Sequence, residues 1–334
     1  MNHFSFTRSR KVFFILSAAF LVLGVVCFFV RGFVFDVDFT GGTTVTVSGQ
    51  AQEIPDAKQA ELMNAVAKHP GVSVSSFQKT SAVSADDGKT TYGFIMRIQG
   101  MDTDTETRQA TEKEIRQLLG NANAETEEGK LLDSKYISTS SVSGTVSGEL
   151  RRAAVIASVI AVALMLVYIT VRFDLASGLA AVTCLVHDLF AMLVAYSLFG
   201  IPMGSTMIAA LLTILGYSIN ATIIIFDRVR ENRKQQNSDG TARLAGFDET
   251  VDRSVKETMK RSVFTSLTTL VTIGVLYVAS RIGNIPSVTN FALPLIVGII
   301  AGFYSSVCLS GNLWCVYSRL FGKRRRSSAP QSES

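Results

Sequence analysis

Six long apolar stretches constrain this chain more than anything else in it. They fall at 12–30, 153–171, 178–199, 205–226, 263–280 and 291–317. A helix rises about 1.5 Å per residue, so each is long enough to cross a hydrocarbon layer about 30 Å thick. With 48% hydrophobic and only 18% charged residues in 334, and a mean hydropathy of +0.31, the chain has too much apolar surface for an ordinary soluble domain. The stretches predict a polytopic α-helical membrane protein with six transmembrane helices. The first follows Arg8, Arg10 and Lys11 as a signal peptide does, but it is too long and no clear small-residue cleavage site follows, so it reads as a retained anchor.

Charge orients the spans. With the N-terminus in the cytoplasm, more than half of the Lys and Arg residues fall in the short inside segments, including the cluster Arg319, Lys323, Arg324, Arg325 and Arg326. Most of the remainder lie inside one long hydrophilic loop, where charge has little influence on topology. The expected map is a cytoplasmic N-terminus at 1–11 and transmembrane helix 1 at 12–30. An extracytoplasmic domain follows at 31–152, then a five-helix bundle at 153–317 with a cytoplasmic amphipathic segment at 227–260, and a basic cytoplasmic tail at 318–334. All four cysteines (Cys27, Cys184, Cys308, Cys315) sit inside apolar stretches without C-x-x-C spacing, which points away from disulfides and zinc ribbons.

The loop changes period. Segments 43–47, 72–78, 91–98 and 136–142 alternate apolar and polar residues or are rich in β-branched ones, as strands are. Pro55 opens a helical pattern that closes at His69-Pro70-Gly71, and a second helix is expected from Asp102–Asp104 to Gly120. The order β-α-β-β-α-β is that of an α+β ferredoxin-like domain. Asp86-Asp87-Gly88 and 123–130 read as solvated turns, and His69 as the exposed end of a helix. Neither a nucleophile elbow nor a phosphate loop is present, and mid-span Asp188 has no second carboxylate for aspartyl chemistry. The sequence therefore predicts no catalytic residues, no metal and no cofactor, and nothing points to nucleic acid.

Polar residues inside the spans carry the most information, because a charge in a bilayer is costly and needs a partner or water. His187-Asp188 lies midway along the third span. In the fourth, Thr213, Tyr217, Asn220 and Asp227 recur at helical spacing; in the fifth, Arg261, Thr265, Thr268 or Thr269 and Thr272 do the same. Two polar stripes suggest one seam. The plain alternative is packing: hydroxyl and amide side chains hydrogen-bond across membrane helices, and a small residue such as Gly216 lets backbones approach. Asn220-Ala221-Thr222 matches a glycosylation pattern but lies within a span. The basic residues of 227–260 can hold topology, contact anionic lipid headgroups, or do both.

Several of these residues fall in a recognisable set: Asp38-Phe39-Thr40-Gly41-Gly42, Gly144-Thr145-Val146-Ser147-Gly148-Glu149-Leu150, His187-Asp188, Gly216-Tyr217-Ser218-Ile219-Asn220, Phe226-Asp227-Arg228-Val229-Arg230-Glu231-Asn232, and Arg261 with Thr265-Ser266-Leu267-Thr268-Thr269. Together they resemble the SecF family, membrane subunits of the SecDF accessory complex of the bacterial Sec translocase, within the resistance-nodulation-division superfamily. The resemblance implies a place in the cytoplasmic membrane and a role with SecD late in preprotein translocation, driven by the proton motive force. It implies SecD, the SecYEG channel, SecA, YajC and the translocating preprotein as partners. Asn220, Arg261, Asp188, Thr265 and Thr269 become candidates for an ion path, and Asp38, Gly41, Gly42, His187, Gly216, Asp227 and Arg228 are motif positions. Asp227 and Arg228 are read as a cytoplasmic-end cap and topology anchor.

One position departs from the family pattern. An aspartate usually follows the Asn of the fourth span, and here that position is Ala221. A methyl group carries no proton, so the resemblance leaves the proton to SecD, to Asp188, or to water held on Asn220 and the threonines. Two other readings stay open: half of an ion-driven exporter of small molecules or lipids, and a non-conducting scaffold.

Overall fold

The computed structural model describes residues 5–50, 53–68, 72–83, 90–99, 137–238, 246–283 and 285–327, with the isolated helical positions Lys113 and Gln117. His69-Pro70-Gly71, Asp86-Asp87-Gly88, the stretch 123–130 and most of the helix expected before Gly120 lie outside the described residues.

Among the described residues six helical segments are long and apolar enough to cross a membrane. They are α1 (Arg10–Arg31), α4 (Gly144–Arg172), α5 (Leu175–Phe199), α6 (Ser205–Ser238), α7 (Phe247–Ile282) and a composite last helix. The composite runs through α8 (Pro286–Tyr304), a π-helical turn (Ser305–Ser310) and α9 (Gly311–Ser327). Among the described residues, beside helical Lys113 and Gln117, there are also the short α2 (Val37–Thr40) and α3 (Asp56–Ala67). α5 and α8 form the buried centre, with α6 beside them; α1, α4 and α7 show mostly open apolar faces, which suits lipid or another membrane subunit.

Close backbone approach comes from glycines other than the one singled out in the sequence. A Cβ on Gly24 of α1 would lie 2.0 Å from Val194 Cγ2 of α5, and one on Gly298 of α8 would lie 2.0 Å from Ile214 Cδ1 of α6. Gly216 is exposed, and a Cβ there meets nothing within 4 Å. The expected packing role of Gly216 is therefore corrected: its helix face is open in this chain.

The hydrophilic loop forms a small sheet in the order β2-β3-β1-β4, every described pairing antiparallel. The strands are β1 (Gly42–Gln50), β2 (Ser73–Val83), β3 (Thr90–Gln99) and β4 (Ile137–Val142). α3 covers one face, where Leu62 and Val66 pack with Val45, Val47, Phe94, Met96 and Ile98. β3 is central, so Gly93 to Ile98 are buried on both faces. On its other face Arg97 reaches the chain segment that leaves α1.

That segment ties sheet to bundle. Asp36 N–H donates to Met203 O (2.9 Å), and Met203 N–H donates to Val34 O (2.8 Å). Asp36 caps α2 by accepting from Val37 N–H (2.8 Å) and pairs with Arg97 Nε (3.0 Å). Asp38 Oδ2 accepts from Ser205 N–H (3.1 Å) and Ser205 Oγ (2.6 Å), placing a carboxylate at the positive N-terminal end of α6. Gly41 lies against Gly144, so the two glycine-bearing motifs flanking the loop meet where α4 begins.

Candidate functional site

Away from the sheet, α6 does not end at Phe226; it continues to Ser238, and α7 begins at Phe247. The expected amphipathic segment is thus two helical extensions packed on each other. Asp227, read from sequence as an end cap, is mid-helix and pairs with Arg172 at the end of α4 (2.7 Å). Arg228 donates to Glu257 (2.6 Å) and Glu231 (2.7 Å). Arg230 stacks 4.7 Å over the Phe173 ring and donates to Arg172 O (2.9 Å). Asn232 Nδ2 donates to Ser254 Oγ and to Glu257 Oε2, both at 2.9 Å. These side chains let a helix continue past its apolar stretch, because each charge finds a partner on a neighbouring helix.

Glu257 lies on the polar extension of α7, before the apolar stretch at 263–280. Burial pushes its carboxyl up, but hydrogen bonds from Asn232, Arg253 and Arg228, with the Arg228 charge, outweigh burial and hold it at about 2. Its folded value is below the ordinary 4.5, so its stabilising contribution is present above about 4.5 and is lost as pH falls toward about 2. Spin labels at exposed Lys234 and Lys256 should report one narrow distance at neutral pH that broadens across that acid window. In Glu257→Gln the distribution should already be broad at neutral pH and stop responding to acid; an unchanged, pH-sensitive width would exclude this origin.

Within the spans the candidates separate into two places. Asn220 on α6 and Arg261 and Thr265 on α7 are exposed, and Thr269 is half-buried. Among the described residues neither the Asn220 nor the Arg261 side chain makes a hydrogen bond or ion pair. The threonines turn back on their own helices: Thr213 Oγ1 donates to Ala209 O (2.7 Å), Thr269 to Thr265 O (2.8 Å) and Thr272 to Thr268 O (2.9 Å). One bond from a stripe crosses between α6 and α7, from Tyr217 Oη to Ser266 Oγ (2.6 Å). The stripes lie on outward faces.

The second place is interior. Asp188 on α5 is 1% exposed and fully bonded: Oδ1 lies 2.9 Å from His187 Nδ1, and Oδ2 accepts from Ser218 Oγ (2.5 Å) and Ser305 Oγ (2.7 Å). Ser218 comes from α6. Ser305 opens the π turn, a local widening of the helix that often marks functional positions. Gly302, one turn earlier, lies beside the carboxylate: a Cβ there would make an ordinary contact, 3.6 Å from Asp188 Oδ2. The sequence singled out Asp188 but not Ser305, because serines in an apolar helix commonly serve packing and carry no charge to mark one of them out. Asp188 makes no bond to Asn220, Arg261, Thr265 or Thr269. Among the described residues no three His, Cys, Asp or Glu side chains converge as a metal site would require.

Residues 122–320 match the family described as protein export membrane protein SecD/SecF, C-terminal. A protein translocase subunit SecF of Alicyclobacillus acidocaldarius is 33% identical, the alignment covering 97% of this chain and 96% of that one. That of Petrotoga mobilis is 31% identical over 93% and 94%. The protein translocase subunit SecDF of Bacillus subtilis is 29% identical over 93% of this chain but only 38% of its own length. The crystal structure of SecDF from Thermus thermophilus, a translocon-associated membrane protein, superposes with a TM-score of 0.73 at 28% identity, over 95% of this chain and 39% of that one.

Proposed function

The chain belongs to the SecF branch of the SecD/SecF protein-export family and is a multi-pass membrane protein and protein translocase subunit; from that premise we propose that, paired with SecD, it uses the proton motive force to promote late steps of preprotein translocation. In fused relatives this chain corresponds to well under half of a SecDF protein, which supports SecD as the partner that completes the unit.

The observation that carries the reading is Arg261. A guanidinium at the edge of an apolar span, exposed and unpaired among the described residues, calls for a counter-charge from beyond them. SecD supplies it. Asn220, Thr265 and Thr269 then line the joint between the subunits, and the open faces of α6 and α7 are where SecD packs. Ala221 lies on the same region of α6, so within this joint the carboxylate comes from SecD.

The domain map of this reading keeps 31–152 outside the cytoplasmic membrane and both ends, with the 227–260 extensions and the 318–334 tail, in the cytoplasm. The 31–152 domain is ferredoxin-like: its strand order, α3 between β1 and β2, and helical Lys113 and Gln117 between β3 and β4 support that fold. It engages the emerging preprotein, while SecYEG, with SecA and YajC, provides the channel context. No catalytic residue, metal or cofactor enters the mechanism.

The test is ion flux. The chain and SecD are placed in proteoliposomes under an imposed proton or sodium gradient, with dyes sensitive to each ion. Proton entry is expected, with Arg261→Ala reducing it at least about tenfold, the effect of losing one strong charge pair. Flux unchanged by Arg261→Ala would overturn the role of Arg261. No flux of either ion, in complexes that still bind the channel, would make the subunit a scaffold.

A further inference from the structure

The interior pair leaves one atom unexplained. His187 is 8% exposed, and with Asp188 ionised its Nδ1 carries a proton and donates it to Oδ1. Nε2 is then a bare lone pair, buried and without a partner among the described residues. An unpaired acceptor in the middle of a membrane bundle is a standing cost. The ring also lines an apolar groove of about 360 Å³ between α1 and α8, with Ser17, Phe20, Ile300 and Tyr304 on its walls. Nδ1 is turned inward to Asp188, and the remainder of the ring forms part of that groove's wall, with Nε2 itself buried.

We propose that His187 and Asp188 form a proton-binding dyad, with His187 Nε2 as the atom that takes the proton and Ser218 and Ser305 as positioning residues for the carboxylate. It deepens the coupled-export reading by placing a protonatable unit within this chain, apart from the SecD joint and from Ala221. The step balances: a proton from water forms the Nε2–H bond, and release to water breaks it. The ring becomes an imidazolium, the carboxylate stays ionised, and the net charge of the pair goes from one negative to none.

Among the described residues the surroundings offer no competing charge. Cys184 stands one turn earlier on α5, with its thiol against Ser305 O. α6 brings Ser218 and Tyr217, α1 brings Ser17, and the last helix brings Tyr304, whose ring lies 6.2 Å from that of His187. Among the described residues Asp188 pairs with no cation but His187. The Ser305 bond places one ligand of the carboxylate on the π turn, so a change in the pair's charge bears directly on the geometry of the last helix.

The chain has three histidines, at positions 3, 69 and 187, so His3→Gln with His69→Gln leaves His187 as its only imidazole. This chain, labelled with ¹⁵N-histidine and assembled with unlabelled SecD in lipid, is titrated by isotope-edited infrared spectroscopy from about pH 8 to about pH 5, the range in which histidines ordinarily switch. The expected result is an imidazole-to-imidazolium signal and one proton taken up per chain, both lost in His187→Gln. In Asp188→Asn the same signal should need at least about tenfold more protons, since the counter-charge is gone. A silent His187 in an assembled complex, or a signal indifferent to Asp188→Asn, would overturn the dyad, and the first of these needs no variant within the dyad itself. A His187 signal without gradient-driven flux would sink the coupled-export reading and leave the dyad standing; flux with a silent His187 would do the reverse.

Discussion

Replacing Arg97 by Ala is expected to raise hydrogen exchange at the β3 amides about a hundredfold, equivalent to about 3 kcal/mol at about 1.4 kcal/mol per tenfold. The side chain is almost wholly buried on the central strand, bonded through Nε to Asp36 Oδ1 at 3.0 Å and through Nη1 to Ser76 Oγ at 3.3 Å. Removing one partner of a buried pair leaves the other charge stranded, which typically costs about 3–5 kcal/mol. Asp36 is 24% exposed and can recover some hydration, so the lower end applies. The effect spreads, because the Asp36 segment also holds the connection between α5 and α6 through Met203. Arg97→Met keeps the stem and should lose nearly as much, whereas Arg97→Met with Asp36→Asn should recover a good part, since Asn still caps Val37 without a stranded charge. β3 exchange unchanged in Arg97→Ala would refute the role assigned to this pair.

The contrast between Arg97 and the apolar runs shows what the sequence makes legible. Each of the six runs became a long helix because in lipid the backbone must satisfy itself, and length with apolarity is then sufficient evidence. The strands were legible for a related reason: β1 and β3 alternate Val45, Val47 and Phe94, Met96, Ile98 toward α3, and a one-residue slip would turn that whole set to water. Arg97 interrupts the pattern as a charge on a central strand, and nothing local announces that Asp36, far away in sequence, will meet it.

The candidate site was legible only as a list of residues. Asp188 stood out because a mid-span carboxylate is costly, and Arg261 because it begins a polar stripe, but spacing along one helix says nothing about which helix faces it. Folding sent them apart: Asp188 bonds inward to Ser218 and Ser305, and Arg261 stands on an exposed face of α7. The helical extensions of α6 and α7 were not legible for a related reason. A run of Asp, Arg, Glu and Asn looks like the close of a span, yet Arg228, Asn232 and Glu257 pair between helices and carry both beyond the apolar core.

Gly42→Ala should be the most damaging single-methyl change among the motif glycines, at about 4 kcal/mol, combining backbone strain with an overpacked contact. Its φ of 131° lies where L side chains are strained, and a Cβ would stand 2.1 Å from Ile98 O. That neighbour cannot step aside, since it is backbone of the central strand, paired in register beside Thr43. Gly41→Ala should cost less, about 1–2 kcal/mol, because its φ of 73° is strained but the nearest atom, Gly144 Cα, is 3.1 Å away. Gly216→Ala is the control: an exposed helical position with nothing within 4 Å gains about 1 kcal/mol of helix propensity unless SecD packs there. Heating the detergent-solubilised chain and following its monodisperse fraction by size-exclusion chromatography ranks the three. The expected order of melting is Gly42→Ala first, Gly41→Ala next and Gly216→Ala last. Gly42→Ala melting with wild type would mean that β1 reaches the bundle by a different turn. Gly216→Ala that is stable alone but fails to hold SecD would place the partner on that open face of α6.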